Sequence, residues 1–433
     1  MSEVRLGDVC EMIVDCEHKT APTQAEGYPS IRTPNIGRGR FILDNVNRVS
    51  QETYRAWTQR AVPRPGDLIM AREAPVGNVA MVPPGLNPCL GQRTLLIRPA
   101  SDKVDPAYLT YLLVGPEVQG TIHSLTNGST VAHLNMKDVR TLPLPYLPAL
   151  SEQRRIASIL SAYDDLIENC QRRIRILEDM ARGLYREWFV HFRFPGADAL
   201  PRVDSPLGPI PRGWATTDLA AVCTAGNGIQ TGPFGSQLHE ADYSPEGVPV
   251  VMPKDLIDFR IREDSIARIP EATADGLKRH RMSPGDIVYG RRGDIGRRAF
   301  VMPHQTGWFC GTGCLRVRPN PAAVNGWFLF NYLGQDDVVK LIAGRAHGAT
   351  MPNLNTGLMA SVPLTLPPRE LQDIFAARTF PMAEAREALV AKITNLRRTR
   401  DLLLPRLLSG QITLASDEPE PASLRATGIA ALA

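Results

Sequence analysis

Cysteine is scarce, with seven in 433 residues, an odd number without disulfide-style spacing. That usage fits a reducing compartment, and the expected location is the cytoplasm. No stretch approaches the ~18 consecutive apolar residues of a membrane-spanning helix, so no membrane association is expected. The opening Met1-Ser2-Glu3-Val4-Arg5 is not followed by an apolar signal segment. Enzyme motifs are missing too. There is no glycine-rich loop ending in Lys-Ser/Thr and no Gly-x-Gly-x-x-Gly. The Asp/Asn-Pro-Pro-Tyr of amino-methyltransferases is absent, since Asn87-Pro88-Cys89-Leu90 fails at the aromatic position. Cys310-x-x-x-Cys314 near His304 lacks a fourth zinc ligand, and Cys10, Cys16 and His18 make no better set. No nucleophile–base arrangement stands out. The chain reads as non-catalytic, with no metal site and no cofactor of its own.

What is present is a duplication. Hydrophobic residues make up 43% of the chain, enough for sizeable cores, and the length suggests two or three domains. Pro65-Gly66-Asp67-Leu68-Ile69 returns as Pro284-Gly285-Asp286-Ile287-Val288. In register with it, Arg72 meets Arg291, Gly77 meets Gly296, Val82 meets Val301, and Arg98-Pro99 meets Arg318-Pro319. Gly128-x-Thr130 then matches Gly348-x-Thr350, Leu134-Asn135 matches Leu354-Asn355, Pro143 matches Pro363, and Gln153 matches Gln372. One Pro-Gly-Asp is a turn, but an ordered series of landmarks at a nearly constant offset is a repeat.

Each copy begins with a stretch rich in Gly and Pro and short β-branched runs, which reads as mixed α+β. It ends in a stretch almost without glycine, which reads as helix. The boundaries are a first module at 1–147, a long helix at 148–192, a Pro/Gly-rich extended connector at 193–211, a second module at 212–367, a second long helix at 368–411 and a flexible tail at 412–433. In the first helix Ile156, Leu160, Tyr163, Ile167, Cys170, Ile174, Leu177, Ala181, Leu184 and Trp188 follow a 4,3 spacing. The second repeats that phase at Phe375, Thr379, Met382, Arg386, Leu389, Ile393, Leu396, Arg400, Leu403 and Leu407, with two arginines interrupting it. This is a coiled-coil seam. The competing reading is two amphipathic helices, each buried on its own module. Pro381 and Pro405 are expected to kink or end the second helix. Forty residues of helix span ~60 Å. Antiparallel pairing would hold two similar modules apart about a pseudo-two-fold axis.

Charge is uneven. The chain carries a net +4, whereas Lys278–Arg318 holds nine basic residues against Asp286 and Asp294. The matching stretch in copy one contains Arg60, Arg64, Arg72, Arg93 and Arg98 against Asp67 and Glu73. Arginine excess in glycine-rich loops is what phosphate contact and guanine reading require, and Asn or Gln suits adenine. The candidate DNA contacts are Arg32, Asn35, Arg72, Gln92 and Arg93 in copy one and Gln237, Lys254, Arg279, Arg291 and Arg292 in copy two. Asn135 and Asn355 occupy equivalent positions, which favours a shared structural job. Residues that read different sequences should differ between copies.

Several segments resemble the specificity subunit of type I restriction–modification systems. They include Leu142-Pro143-Leu144-Pro145 with Leu150-Ser151-Glu152-Gln153-Arg154-Arg155-Ile156, and Asn127-Gly128-Ser129-Thr130 with Leu134-Asn135. Gly208-Pro209-Ile210-Pro211-Arg212-Gly213-Trp214, Pro233-Phe234-Gly235-Ser236, Arg291-Arg292-Gly293-Asp294-Ile295-Gly296 and Leu404-Pro405-Arg406-Leu407-Leu408-Ser409-Gly410 extend the likeness over nearly the whole chain. The resemblance implies two target recognition domains, each reading half of a split site in double-stranded DNA, with the helical pair setting the gap. It also implies two methyltransferase subunits holding S-adenosylmethionine, and restriction subunits using ATP and Mg. A coiled-coil adaptor between two proteins, a stand-alone enzyme, or a subunit of a modification-only defence system are the alternatives.

Overall fold

The computed structural model describes residues 4–126, 132–235, 237–292, 295–345 and 353–414. The Gly128-x-Thr130 and Gly348-x-Thr350 landmarks, Ser236, Gly293-Asp294 and the tail from 415 lie outside the described residues. The chain forms two compact units, Met1–Gln171 with Val390–Ala433, and Arg172–Leu389.

In the first unit the main strands are β1 (Cys10–Asp15), β2 (Tyr28–Ile31), β3 (Leu68–Ala71), β4 (Val79–Met81), β5 (Cys89–Leu90) and β6 (Thr94–Pro99). An antiparallel sheet runs β1-β6-β3-β4, with Leu68 opposite Ile97. Its run Leu68-Ile69-Met70-Ala71 is apolar throughout because both faces are covered. Leu68 and Met70 enter one core with Leu95 and Ile97, while Ile69 and Ala71 enter another with Ala80 and Leu96. Two helices, α1 (Pro106–Val114) and α2 (Pro116–Leu125), precede the long α3 (Leu150–Tyr185).

The second unit repeats this plan with β7 (Ile229–Thr231), β8 (Val248–Val251), β9 (Ile287–Gly290), β10 (Arg298–Phe300), β11 (Phe309–Cys310) and β12 (Cys314–Val317). Its sheet runs β7-β12-β9-β10, with Ile287 opposite Val317. The helices α4 (Gly326–Tyr332) and α5 (Asp336–Arg345) precede the long α6 (Arg369–Leu408).

The repeated landmarks are hydrogen-bonded joints. Asp67 takes the Arg64 N–H at 2.8 Å and a two-pronged ion pair from Arg98 at 2.8 and 2.7 Å. Asp286 likewise takes the Ser283 N–H at 2.8 Å and Arg318 at 2.8 and 2.6 Å. Gln153 accepts the N–H of Asp105 at 2.9 Å, and Gln372 accepts that of Asn325 at 2.9 Å, tying each long helix to the start of α1 or α4.

All ten seam positions of α3 and its terminal turn, and all ten of α6, are buried or half-buried. In the first unit Ile156 and Leu160 share a core with Leu403 and Leu407, and Asp164 pairs with Arg400. In the second, Tyr185 and Trp188 pack on Phe375, and Glu178 meets Arg386. Within each unit the two helices therefore run antiparallel. The arginines that interrupt the seam are partnered by acids from the facing helix.

Two expectations are corrected. Helix α6 runs unbroken through Pro381 and Pro405. Pro381 is on the solvent side, while Phe375, Thr379 and Ala383 around it are buried, and that packing outweighs a missing backbone bond. The connector is not simply extended either. It follows a π-helical turn at Arg186–Val190 and pairs Arg202–Val203 with Ile210–Pro211. Phe189, Phe194 and Trp214 anchor it to the second core, an aromatic cluster that proline content does not reveal. Among the described residues no helix is long and apolar enough to cross a membrane.

Candidate nucleic-acid interface

In each module two strands run parallel and end together. Ile31 of β2 lies beside Leu90 of β5, and Val251 of β8 beside Cys310 of β11. The residues that follow, Arg32 with Gly91-Gln92-Arg93 and Met252 with Gly311-Thr312-Gly313, therefore converge at equivalent places. Glycine is required at the contact. A Cβ on Gly91 would lie 2.6 Å from Arg32 Cγ and 2.7 Å from the Ile31 carbonyl. On Gly311 it would meet Met252 Sδ and the Val251 carbonyl at 2.6 and 2.7 Å.

The turn behind is also shared. Asn35 accepts the Arg32 N–H at 3.1 Å, and Asp255 accepts the Met252 N–H at 2.9 Å. Asn35 is buried and donates to the Ile42 carbonyl at 3.2 Å, so this candidate base reader shapes the loop. On this common scaffold the surface chemistry differs. Copy one presents Arg32, Gln92 and Arg93, and copy two presents Met252, Lys254, Thr312 and Gly313. Arg93 has φ 66° where Gly313 has φ 83°, an uncommon backbone for a side-chain-bearing residue. Its side chain is 59% exposed beside Glu73.

Gln92 donates to the His18 carbonyl at 3.2 Å, bringing the loop after β1 to the same place. The corresponding loop after β7 crosses Gly311 so closely that a Cβ on Gly232 would be 2.0 Å from its carbonyl. That loop carries Phe234, 60% exposed, and Gln237, which accepts from Arg279 at 3.3 Å. Arg279 Nε also donates to His280 at 3.0 Å. Burial first, then the neighbouring Arg279 and Arg316, push His280 down to about 4, so it stays a neutral acceptor.

Other candidates are committed to the fold. Arg72 is buried, donating to the Leu134 carbonyl at 2.9 Å and to both Asp15 oxygens at 2.9 and 2.7 Å. Arg291 makes the equivalent bond to the Leu354 carbonyl at 3.2 Å, while Arg292 is exposed. Asn355 caps a short helix by accepting from the Leu358 N–H, whereas Asn135, also at a helix start, donates to Asp138 at 3.1 Å instead, so the two share a position but not a bond. Nor is the basic window one free patch. Arg316 is buried against the Arg279, Arg281 and Asn227 carbonyls, and Arg281 pairs with Glu271 and Asp275.

Met252 and Thr312 were not singled out from sequence, and His18 and Phe234 were named there only as a rejected metal ligand and as part of a family segment, not as contacts. Aligning the two copies at the strand ends would have marked them as divergent positions on a conserved backbone. Asp15, Cys16 and His18 lie within ligand reach of one another, but Arg72 already neutralises Asp15. Cys310 and Cys314 are core residues, and burial pushes the Cys310 thiol up to about 12.

Residues 1–178 match the family described as Type I restriction modification DNA specificity domain. The MjaIX specificity subunit of Methanocaldococcus jannaschii is 25% identical over 374 residues, covering 86% of this chain and 83% of that protein. The HindI specificity subunit of Haemophilus influenzae is 22% identical over 451 residues, covering 89% and 95%. The solved type I S subunit from M. genitalium shares the fold, with TM-score 0.62 and 17% identity over 94% of this chain and 95% of that one.

Proposed function

We propose that this chain, which belongs to the type I restriction–modification specificity subunits, reads the two halves of a split DNA target with its two modules. The carrying observation is one backbone scaffold bearing two surface chemistries. Arg32, Gln92 and Arg93 offer donors suited to guanine and adenine edges, whereas Met252 and Thr312 offer apolar and hydroxyl contact. Arg292, Lys254, Gln237 and Arg279 add phosphate or base contacts at the second module. The long helices set the gap between half-sites. The chain itself performs no chemistry. Two methyltransferase subunits holding S-adenosylmethionine dock on it, and restriction subunits using ATP and Mg join them.

The test exchanges the strand-end residues of module one for those of module two. Arg32→Met, Gln92→Thr and Arg93→Gly are combined, and adenine methylation is mapped by modification-sensitive sequencing of host DNA. The expected outcome is a change in one half-site, with the other half and the gap retained. An unchanged motif would remove these residues from base reading. Methylation that persists after deletion of the gene would remove the function itself.

A further inference from the structure

We propose that Arg40 and Arg260 are positioning residues that brace each recognition module against a long helix and hold the gap between half-sites to a single length. This rests on the function proposed above. Arg40 reaches Asp165 and Glu168 on α3 within the first unit. Arg260 reaches Glu387 on α6 at 3.2 Å within the second. The two arginines are equivalent in the repeat, and so are Glu168 and Glu387. The same cross-link has thus been kept in both copies, although the turns that carry it differ in sequence.

Each turn is stiff. Gly37 N–H donates to the Arg40 carbonyl at 2.9 Å, Gly39 N–H to Val79 of β4 at 2.7 Å, and Arg38 to the Val114 carbonyl at 2.7 Å. In the second module Leu256–Ile257 pairs with Arg260–Ile261. The tip residue Phe259 lies under the buried Arg298 guanidinium, 4.7 Å from its ring. A turn tied to the sheet at one end and ion-paired to a helix at the other transmits orientation.

Both cross-links continue to the second helix of their unit. Glu387 also accepts from Arg386 at 2.8 Å, and Arg386 faces Glu178 on α3 at 3.6 Å. Beside Arg40's partners, Asp164 binds Arg400 of α6 and accepts from Tyr111 of α1 at 2.7 Å. The module is thereby fixed to a helix pair rather than to one helix.

Partly exposed ion pairs add little stability, so the effect is expected in geometry and not in folding. The experiment uses the full complex in cells lacking other adenine methylation, with a plasmid library in which the gap varies one base pair at a time. Arg40→Glu and Arg260→Glu should raise methylation at gaps one base pair off by about two- to fivefold, the ratio one such pair can supply. Half-site bases should be unchanged, and Arg40→Lys and Arg260→Lys should keep the single gap. Arg260→Gln serves if Arg260→Glu does not accumulate. One gap length in every variant would overturn the brace while leaving the split-target reading intact. Altered half-site bases would overturn it by making the arginines readers. A wild-type complex with no split motif would overturn both.

Discussion

Arg93 and Gly313 occupy the same left-handed backbone position, and the difference between them shows how a residue is spent. Glycine takes that conformation without steric cost, whereas arginine must be held in it. An exposed arginine kept at such a place is better explained by what it contacts than by the fold it serves. His280 is the converse case, a buried side chain that serves its neighbour Arg279. Its folded value of about 4 lies below the ordinary 6.5. The unfolded chain therefore binds a proton that the folded chain refuses as pH falls below about 6.5. Stability from this site is complete above that pH and declines towards pH 4, by at most ~1.4 kcal/mol per pH unit. Melting temperatures of wild type and His280→Gln, measured from pH 7.5 to 5, should converge towards the acidic end. Parallel curves would show that His280 is not the group responsible.

At the level of elements, two long helices carry an apolar seam whose polar interruptions are matched. Arg386 lies opposite Glu178 and Arg400 opposite Asp164, each within its own unit. Charged pairs at seam positions contribute more to register than to stability. Arg386→Leu leaves Glu178 half-buried without that partner, and a loss of about 1–3 kcal/mol is expected in denaturant unfolding of the complex-free chain. Glu178→Leu with Arg386→Leu should recover most of it. If the double variant is as unstable as the single one, the pair matters through packing and not charge. Proline behaves differently here from its usual role. Pro381 and Pro405 sit inside α6 because seam packing on the other side of the helix compensates for the absent N–H donors.

At the level of the whole molecule, duplication makes each copy a control for the other. What recurs is scaffold, such as the Asp–Arg joint, the Gln that ties helix to module, and the arginine brace. What differs on that scaffold is the surface offered to a partner. If helix length sets the gap, removing one heptad from each long helix, residues 169–175 and 388–394, shortens the spacer by about 10 Å and the gap by about three base pairs. Methylation mapping should then find the same half-sites closer together. New half-site bases at the old spacing would refute the helices as the ruler.

The repeat, the seam and the turn landmarks were all legible in the chain, because periodicity and turn chemistry are local properties and duplication is visible as a constant offset. The fates of the arginines were not. Arg72 finds Asp15 and Leu134, Arg98 finds Asp67, and Arg316 finds Asn227, all far away along the chain. Their side chains look the same in sequence as those of Arg32 and Arg93. Only the folded sheet buries the first group among acids and carbonyls and leaves the second exposed at converging strand ends, even though Arg93 lies beside Glu73 there. Burial and partner geometry separated joints from contacts, and neither is encoded within a short window of residues.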